Sequence, residues 1–167
     1  SRYGSLYTQT DSEKCRIVYG NALKNGDMFG SLKNFRRAEN YKKSPFIEVF
    51  DGDASIPYMV FSIMLIDSRE KNGFKYARDS FENFGDFSQW LAEIRDRSIL
   101  DTGTVAKYGD DLLFLVADAD DFRGAKLVAA AYKMRGDEDI SSTEGASENP
   151  DVLYPDRWYK VHGVEKT

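Results

Sequence analysis

The sequence predicts a mainly β fold, a closed or partly open barrel of antiparallel or mixed strands with helical insertions. Short β-prone runs recur along the chain and are bounded by turns rich in Gly, Asn, Asp and Ser. The predicted elements follow the order β-β-α-β-β-α-β-β, without the regular alternation of a parallel α/β sheet. With 167 residues, 41% of them hydrophobic, the chain can bury one core, and we predict a single domain over residues 1–167.

Three pairs of strands account for the predicted sheet. A polar turn separates the first pair, Asp51-Gly52-Asp53 closes the second as a hairpin, and an acidic turn over residues 118–124 joins the third. The predicted strands cover residues 4–8, 15–19, 46–50, 56–67, 112–117 and 125–134.

Two helices are expected between these strands. Met28, Leu32 and Phe35 recur at helical spacing and predict a short first helix. The second helix is expected to begin at a capping box formed by Asp86 and Gln89. Its predicted apolar face consists of Phe87, Trp90, Leu91 and Ile94.

The C-terminal part has a different composition. Residues 136–150 are acidic and rich in serine, and this composition predicts a mobile linker. The segment that follows carries Trp158 and Tyr159, whose large rings are expected to pack against the rest of the protein.

The charge of the chain argues against some classes of partner. A net charge of −5 supplies no basic excess to neutralise phosphates, so we predict no nucleic-acid partner. The basic residues Arg36, Arg37, Lys42 and Lys43 form a local cluster that is typical of a solvated helix end.

Side chains that commonly carry chemistry are few. Cys15 is the only cysteine, so the chain can form no internal disulfide, and its place inside a strand predicts a buried apolar residue. His162 is the only histidine and is expected at the surface or in packing. Asp118, Asp120 and Asp121 lack the glycine and the distal glutamate of an EF-hand loop. We therefore predict neither a metal site nor a cofactor.

Two blocks of the sequence resemble a known family. Residues 4–7 read Gly-Ser-Leu-Tyr, and residues 19–29 read Tyr-Gly-Asn-Ala-Leu-Lys-Asn-Gly-Asp-Met-Phe. This first block is similar to the class B sortase pattern of Gly-Ser-hydrophobic-aromatic followed by Tyr-Gly-His-Asn-Met-Lys-Asn-Gly-x-Met-Phe. Residues 111–128 are similar in spacing to the sortase pattern Thr-Leu-x-Thr-Cys, which is followed by an arginine on the next strand. The resemblance spans nearly the whole chain.

The resemblance implies a fold, a reaction and a location. Class B sortases are membrane-anchored transpeptidases on the outside of Gram-positive cells, in the cell wall and in pilus assembly. They cleave a sorting signal through a cysteine thioester and pass the acyl group to an amine. The reaction needs a thiolate nucleophile, a histidine that protonates the leaving amine and an arginine that stabilises the oxyanion. We therefore expect an extracellular, cell-surface or membrane-anchored protein.

All three catalytic positions implied by the resemblance are substituted here. Asn21 stands at the histidine position, Asp118 at the cysteine position and Lys126 at the arginine position. Asparagine cannot shuttle a proton, aspartate is a poor nucleophile toward amides, and lysine lacks the planar fork of arginine donors. We predict that the catalytic site is inactive and that Asp118 and Lys126 form an ion pair.

The N-terminal part departs from the family pattern, which usually begins with helices and two further strands. We expect the resulting barrel edge to be covered by a second copy of the chain, by residues 151–164 or by a separate N-terminal fragment.

Three hypotheses for function remain open. The first is an inactive sortase-like protein that binds or scaffolds a sorting-signal peptide, a surface protein or a pilin. The second is an active transpeptidase or hydrolase that uses Asp118 with Lys126. The third is a purely structural domain of a surface assembly.

Overall fold

The computed structural model of the protein describes residues 7–8, 14–19 and 30–166. Eight strands are present in these residues, and six of them form one sheet. The strands are β1 (Tyr7–Thr8), β2 (Cys15–Tyr19), β3 (Phe46–Asp51), β4 (Ala54–Asp67), β5 (Leu100–Asp101), β6 (Leu112–Asp118), β7 (Ala125–Lys133) and β8 (Ser147–Glu148). The six-stranded sheet has the order β1-β2-β6-β7-β4-β3, and β5 pairs with β8 in a separate ribbon.

The sheet is mixed, which is one of the two predicted arrangements, antiparallel or mixed. Neighbouring strands are antiparallel except β2 and β6, which run parallel, with Cys15 opposite Leu112 and Tyr19 opposite Val116. Within the described residues β1 and β3 are the edges, so the partly open form of the predicted barrel is the one observed. Each predicted strand is confirmed where it is described, and residues 4–6 of the first lie outside the described part.

Both faces of the sheet are buried under hydrophobic clusters. Successive side chains of a strand point to opposite faces, so each strand contributes to both clusters. In β6, Leu113 and Leu115 belong to one hydrophobic cluster, whereas Leu112, Phe114 and Val116 belong to another on the opposite face. A 3-10 helix (Gly30–Arg36) and helix α1 (Ala38–Lys43) cover the first face. Helix α2 (Phe84–Arg97) covers the second.

The predicted first helix is observed as the 3-10 helix followed by α1. Leu32 and Phe35 are buried as their spacing predicts, and Met28 lies outside the described residues.

Helix α2 begins earlier than its predicted capping box. Its N-cap is Asn83, whose side chain accepts a hydrogen bond from the backbone N–H of Asp86, so the interpretation of Asp86 and Gln89 as the box was wrong. Asp86 is instead an acidic residue of the first turn, where the helix dipole favours a negative charge. No helix in the described residues is long and apolar enough to cross a membrane.

Residues 136–150, which we expected to form a linker, contain regular structure. A short 3-10 helix (Ser141–Gly145) precedes β8, and Thr143 and Ala146 are buried. A nonlocal pairing with β5 anchors this segment, and such a pairing leaves no local signal in the sequence. The mobility of the segment stays a prediction.

The last segment packs on the core, as its aromatic residues predicted. Helix α3 (Asp156–His162) follows, and its Trp158 stacks on Tyr154 with ring centroids 4.0 Å apart. Both rings contact the first hydrophobic cluster.

Candidate functional site

The end of β6 and the start of β7 place Asp118 and Lys126 side by side. The two residues are register partners, and Lys126 Nζ donates a hydrogen bond to Asp118 Oδ1. Opposed side chains of an antiparallel pair stand about 5 Å apart at Cβ, so the register alone brings the charges together. The predicted ion pair is confirmed. The Asp118 side chain is 66% exposed and that of Lys126 is 32% exposed, so water reaches both charges.

Strand β2 ends on the same side of the sheet as β6. Because β2 runs parallel to β6 and Tyr19 lies opposite Val116, the chain leaves β2 close to the end of β6. Asn21, the third predicted site position, lies outside the described residues. The catalytic role that the resemblance implies for these three positions stays a prediction.

The turn between β6 and β7 is held by a side chain from the 3-10 helix. Arg36 Nη1 and Nη2 donate hydrogen bonds of 2.8 and 2.9 Å to the two carboxylate oxygens of Asp121. This bidentate pair is partly buried, with side chains 31% and 15% exposed. Hydrogen bonds from Arg36 hold the pKa of Asp121 below its ordinary value. Arg36 therefore stabilises the turn between β6 and β7 through its ion pair with Asp121. The prediction that it is a solvated helix-end residue was wrong.

The other side of the turn is fastened to the end of β4. Ser68 donates hydrogen bonds to the carbonyl oxygen of Gly124 from its backbone N–H, at 2.9 Å, and from its hydroxyl, at 2.7 Å. Gly124 has a φ of +89°, and a Cβ there would lie 2.5 Å from Cδ of Arg69. The backbone conformation thus favours glycine, and a larger residue would also displace the Arg69 side chain.

An open depression lies over this turn. It is bounded by Ser68, Asp118, Lys126 and the turn residues 119, 120 and 122–125. The ion pair forms part of its wall. Asp120 and Arg123 also line the depression, and the Asp118 carboxylate and the Lys126 ammonium group already neutralise each other.

Neither the only cysteine of the chain nor its only histidine, both within the described residues, forms a hydrogen bond or an ion pair with Asp118 or Lys126. Cys15 is opposite Leu112, at the other end of β6, and six residues of strand span about 20 Å. Burial, with a smaller effect from Asp79, raises the pKa of the Cys15 thiol to about 11, so the thiolate is scarce at neutral pH. His162 lies on α3, where Nδ1 is 2.8 Å from the carbonyl oxygen of Trp158. In the described residues, no group of three or more potential ligands could hold a metal ion.

The ion pair between Arg36 and Asp121 is expected to stabilise the folded protein. We expect Arg36→Ala to lower the free energy of unfolding by about 1–3 kcal/mol at pH 7, because a charge-assisted pair is lost and Asp121 keeps a partly buried charge. The folded-state pKa of Asp121 is lowered from 3.8, so the contribution is present above that pH and is lost as the pH falls through the folded value. Urea unfolding at pH 7 and in acid would measure both effects.

A matched control for this prediction is Arg37→Ala, which removes a neighbouring arginine whose closest carboxylate, on Glu148, is 4.0 Å away. Exposed pairs of this kind contribute about 0–1 kcal/mol. Equal losses in the two variants would contradict a specific role for Arg36.

Comparison with known proteins tests the resemblance. No protein-family model and no curated protein sequence matches the chain. Solved structures match it with 14–24% sequence identity. Sortase B from Clostridium perfringens has a TM-score of 0.66 and 19% identity, over 81% of this chain and 75% of that one. Sortase B from the type II pilus of Streptococcus pneumoniae has a TM-score of 0.61 and 14% identity, over 77% and 74%.

Staphylococcus aureus sortase B gives a TM-score of 0.60 at 22% identity, over 74% of this chain. The match covers 57% of the Staphylococcus aureus chain, so the protein described here spans less than two-thirds of that relative. Similarity at this level of identity establishes the fold. The mixed, partly open sheet with its helical insertions is therefore the fold of the class B sortases.

Proposed function

We propose that the protein is a catalytically inactive, sortase-like protein that binds or scaffolds a sorting-signal peptide, a surface protein or a pilin. The observation that carries the proposal is the Asp118–Lys126 ion pair at the strand ends where the resemblance places cysteine and arginine. The class B sortase fold supports the choice of ligand, because Staphylococcus aureus sortase B has been solved as a complex with its substrate.

The ion pair removes both chemical functions that the reaction requires at these positions. Thioester formation needs a thiolate, and the only thiol of the chain is Cys15, buried at the other end of β6. The Lys126 ammonium group is directed at Asp118, so an oxyanion would compete with the Asp118 side chain for it. Binding of a peptide requires neither a thiolate nor an oxyanion-stabilising group. Hydrogen bonds to the peptide main chain and apolar pockets for its side chains can supply the affinity.

The proposal includes a location. We place the protein at the surface of a Gram-positive cell, extracellular and attached to the membrane or the cell wall. The class B sortase fold supports this, as does the match to a pilus sortase. Antibody labelling of intact cells is expected to detect the protein, and detection only after lysis would contradict the location.

A transpeptidation assay tests the proposal that the protein has no sortase activity. The purified chain is incubated with a sorting-signal peptide and triglycine, with Staphylococcus aureus sortase B as the active control. We expect no product above the enzyme-free background, in the native chain and in Cys15→Ser alike. Turnover that survives Cys15→Ser and disappears in Asp118→Asn would instead establish the active alternative, an enzyme that uses Asp118 with Lys126.

Binding of the same peptide is measured by fluorescence anisotropy. We expect saturable binding that changes several-fold in Asp118→Ala, because this variant leaves the Lys126 charge without its partner. Lys107→Ala, an exposed lysine outside the depression, is the control. Absence of both turnover and binding would contradict the proposal and leave the purely structural domain.

A further inference from the structure

Two cavities lie side by side where β4 ends. The first, of about 490 Å³, lies between residues 65–77 and residues 153–156. The second, of about 290 Å³, shares Asp67, Glu70 and Asp156 with the first, and we call the two together the basic cleft. Ser68 lines both the basic cleft and the depression at Asp118 and Lys126, so the two features adjoin.

The basic cleft is rich in cations. Seven cationic side chains and three carboxylates line it, although the whole chain has a net charge of −5. Two of the carboxylates are already in ion pairs: Asp67 with Arg157 at 3.5 Å and Asp156 with Lys166 at 2.8 Å. Two of the three carboxylates in the cleft are therefore neutralised by cations of the same protein.

Most of the cationic side chains in the cleft are not neutralised by an ion pair among the described residues. Arg69, Lys71, Lys75 and Lys160 are exposed and form no ion pair within the part of the chain that the structure describes. Like charges held together on one surface raise the local potential and attract an anionic partner. The cleft thus presents a field of opposite sign to the protein as a whole.

Apolar groups stand between these cations. Ile66, Phe74, Tyr76 and Leu153 line the larger cavity, and the guanidinium group of Arg97 lies 4.2 Å from the ring centroid of Phe74. A small inorganic anion would gain nothing from such walls. A polypeptide with acidic and apolar side chains would satisfy both the charges and the apolar surface.

We propose that the basic cleft binds an acidic polypeptide segment in which carboxylates alternate with apolar side chains. The proposal goes beyond the proposed function and does not depend on it, because the Asp118–Lys126 pair contributes no cation to the cleft. Carboxylates of the segment contact Lys71, Lys75 and Arg69, and its apolar side chains enter the cavity beside Phe74.

Charge reversal tests the proposal. The probe is a short fluorescent peptide of Glu, Asp, Leu and Phe, and its binding is measured by anisotropy. The variant Lys71→Glu/Lys75→Glu reverses two charges of the cleft, and Lys42→Glu/Lys43→Glu reverses two exposed charges on α1 as a matched control. We expect the cleft variant to weaken binding at least tenfold and the control by less than about twofold. Added salt should weaken binding to the native chain.

Each other outcome overturns the proposal. Equal weakening in the two variants would indicate a response to net charge alone. Equal affinity for a peptide with Lys in place of Glu and Asp would exclude charge recognition. Inorganic polyphosphate that binds as tightly as the peptide would identify a site for bare anions. Circular dichroism checks that the variants fold, and Lys71→Gln/Lys75→Gln replaces the reversal pair if that pair does not fold.

Discussion

Replacing Trp90 by alanine is expected to lower the free energy of unfolding by about 3–5 kcal/mol. The Trp90 side chain lies on α2 and is 2% exposed, at the centre of the second hydrophobic cluster. Its ring contacts aromatic rings from the sheet, from α2 and from the segment that precedes α2. The ring centroids of Phe81, Phe87, Phe61 and Phe114 lie 5.1, 5.6, 6.4 and 6.4 Å away.

One hydrogen bond extends the effect beyond α2. Trp90 Nε1 donates at 2.8 Å to the carbonyl oxygen of Tyr76, which belongs to the irregular segment over residues 68–83. That segment lines the basic cleft with Phe74 and Tyr76. Loss of the indole should therefore loosen residues 68–83, and we expect proteases to cut there earlier in Trp90→Ala than in the native chain.

Urea unfolding with two comparison variants separates the contributions to this effect. Trp90→Phe keeps much of the packing but loses the hydrogen bond, so a smaller cost of about 1–3 kcal/mol is expected. Gln89→Ala changes an exposed residue of the same helix and should stay within about 0.5 kcal/mol. A cost for Trp90→Ala no larger than that of Gln89→Ala would contradict the packing of α2 on the sheet.

The strands were predictable from the sequence because their signal is local. In β6 and β7, uninterrupted apolar runs end at charged or glycine-containing turns, and burial on both faces of the sheet explains why they do not alternate. The ion pair between Asp118 and Lys126 was predicted from the positions that the sortase resemblance gives to these two residues, and the hairpin of β6 and β7 brings them together as register partners. The short ribbon of β5 with β8 could not be predicted, because each strand has two residues and depends on the other.

Two further features were missed for different reasons. The start of α2 was misplaced because several polar residues near residue 84 can cap a helix, and only the observed contact identifies Asn83. The pairing of Arg36 with Asp121 joins residues 85 positions apart, and no periodicity connects them. A cationic helix end and an acidic turn are each typical of solvated surface, so the fold alone reveals that they meet.

Restoring the three sortase-like groups is expected to create a reactive thiol without an efficient enzyme. The variant combines Asn21→His, Asp118→Cys and Lys126→Arg in a Cys15→Ser background. Position 118 is largely exposed, and an arginine at its register partner should favour the thiolate. We expect this cysteine to be alkylated rapidly, in contrast to the buried Cys15 of the native chain.

Turnover should remain far below that of a true sortase, because catalytic groups must be held within about 0.5 Å of a productive geometry. The surroundings differ from the sortase pattern at the positions next to the new groups. Val116 and Ala117 stand where the family has a small or polar residue and threonine, and Ala22 replaces the asparagine after the histidine. A misplacement of about 1 Å can lower the rate roughly a hundredfold.

The decisive comparison is between alkylation and peptide turnover in the same variant. The control, Asp118→Cys alone in the Cys15→Ser background, provides the thiol without the histidine and arginine and should alkylate without turnover. Slow thioester formation in the triple variant, with alkylation intact, would place the remaining defect in the neighbours that orient the three groups. Turnover at ordinary sortase rates would contradict this expectation. It would mean that the three substitutions alone silenced an otherwise complete site, and that the end of β6 had not been remodelled for binding.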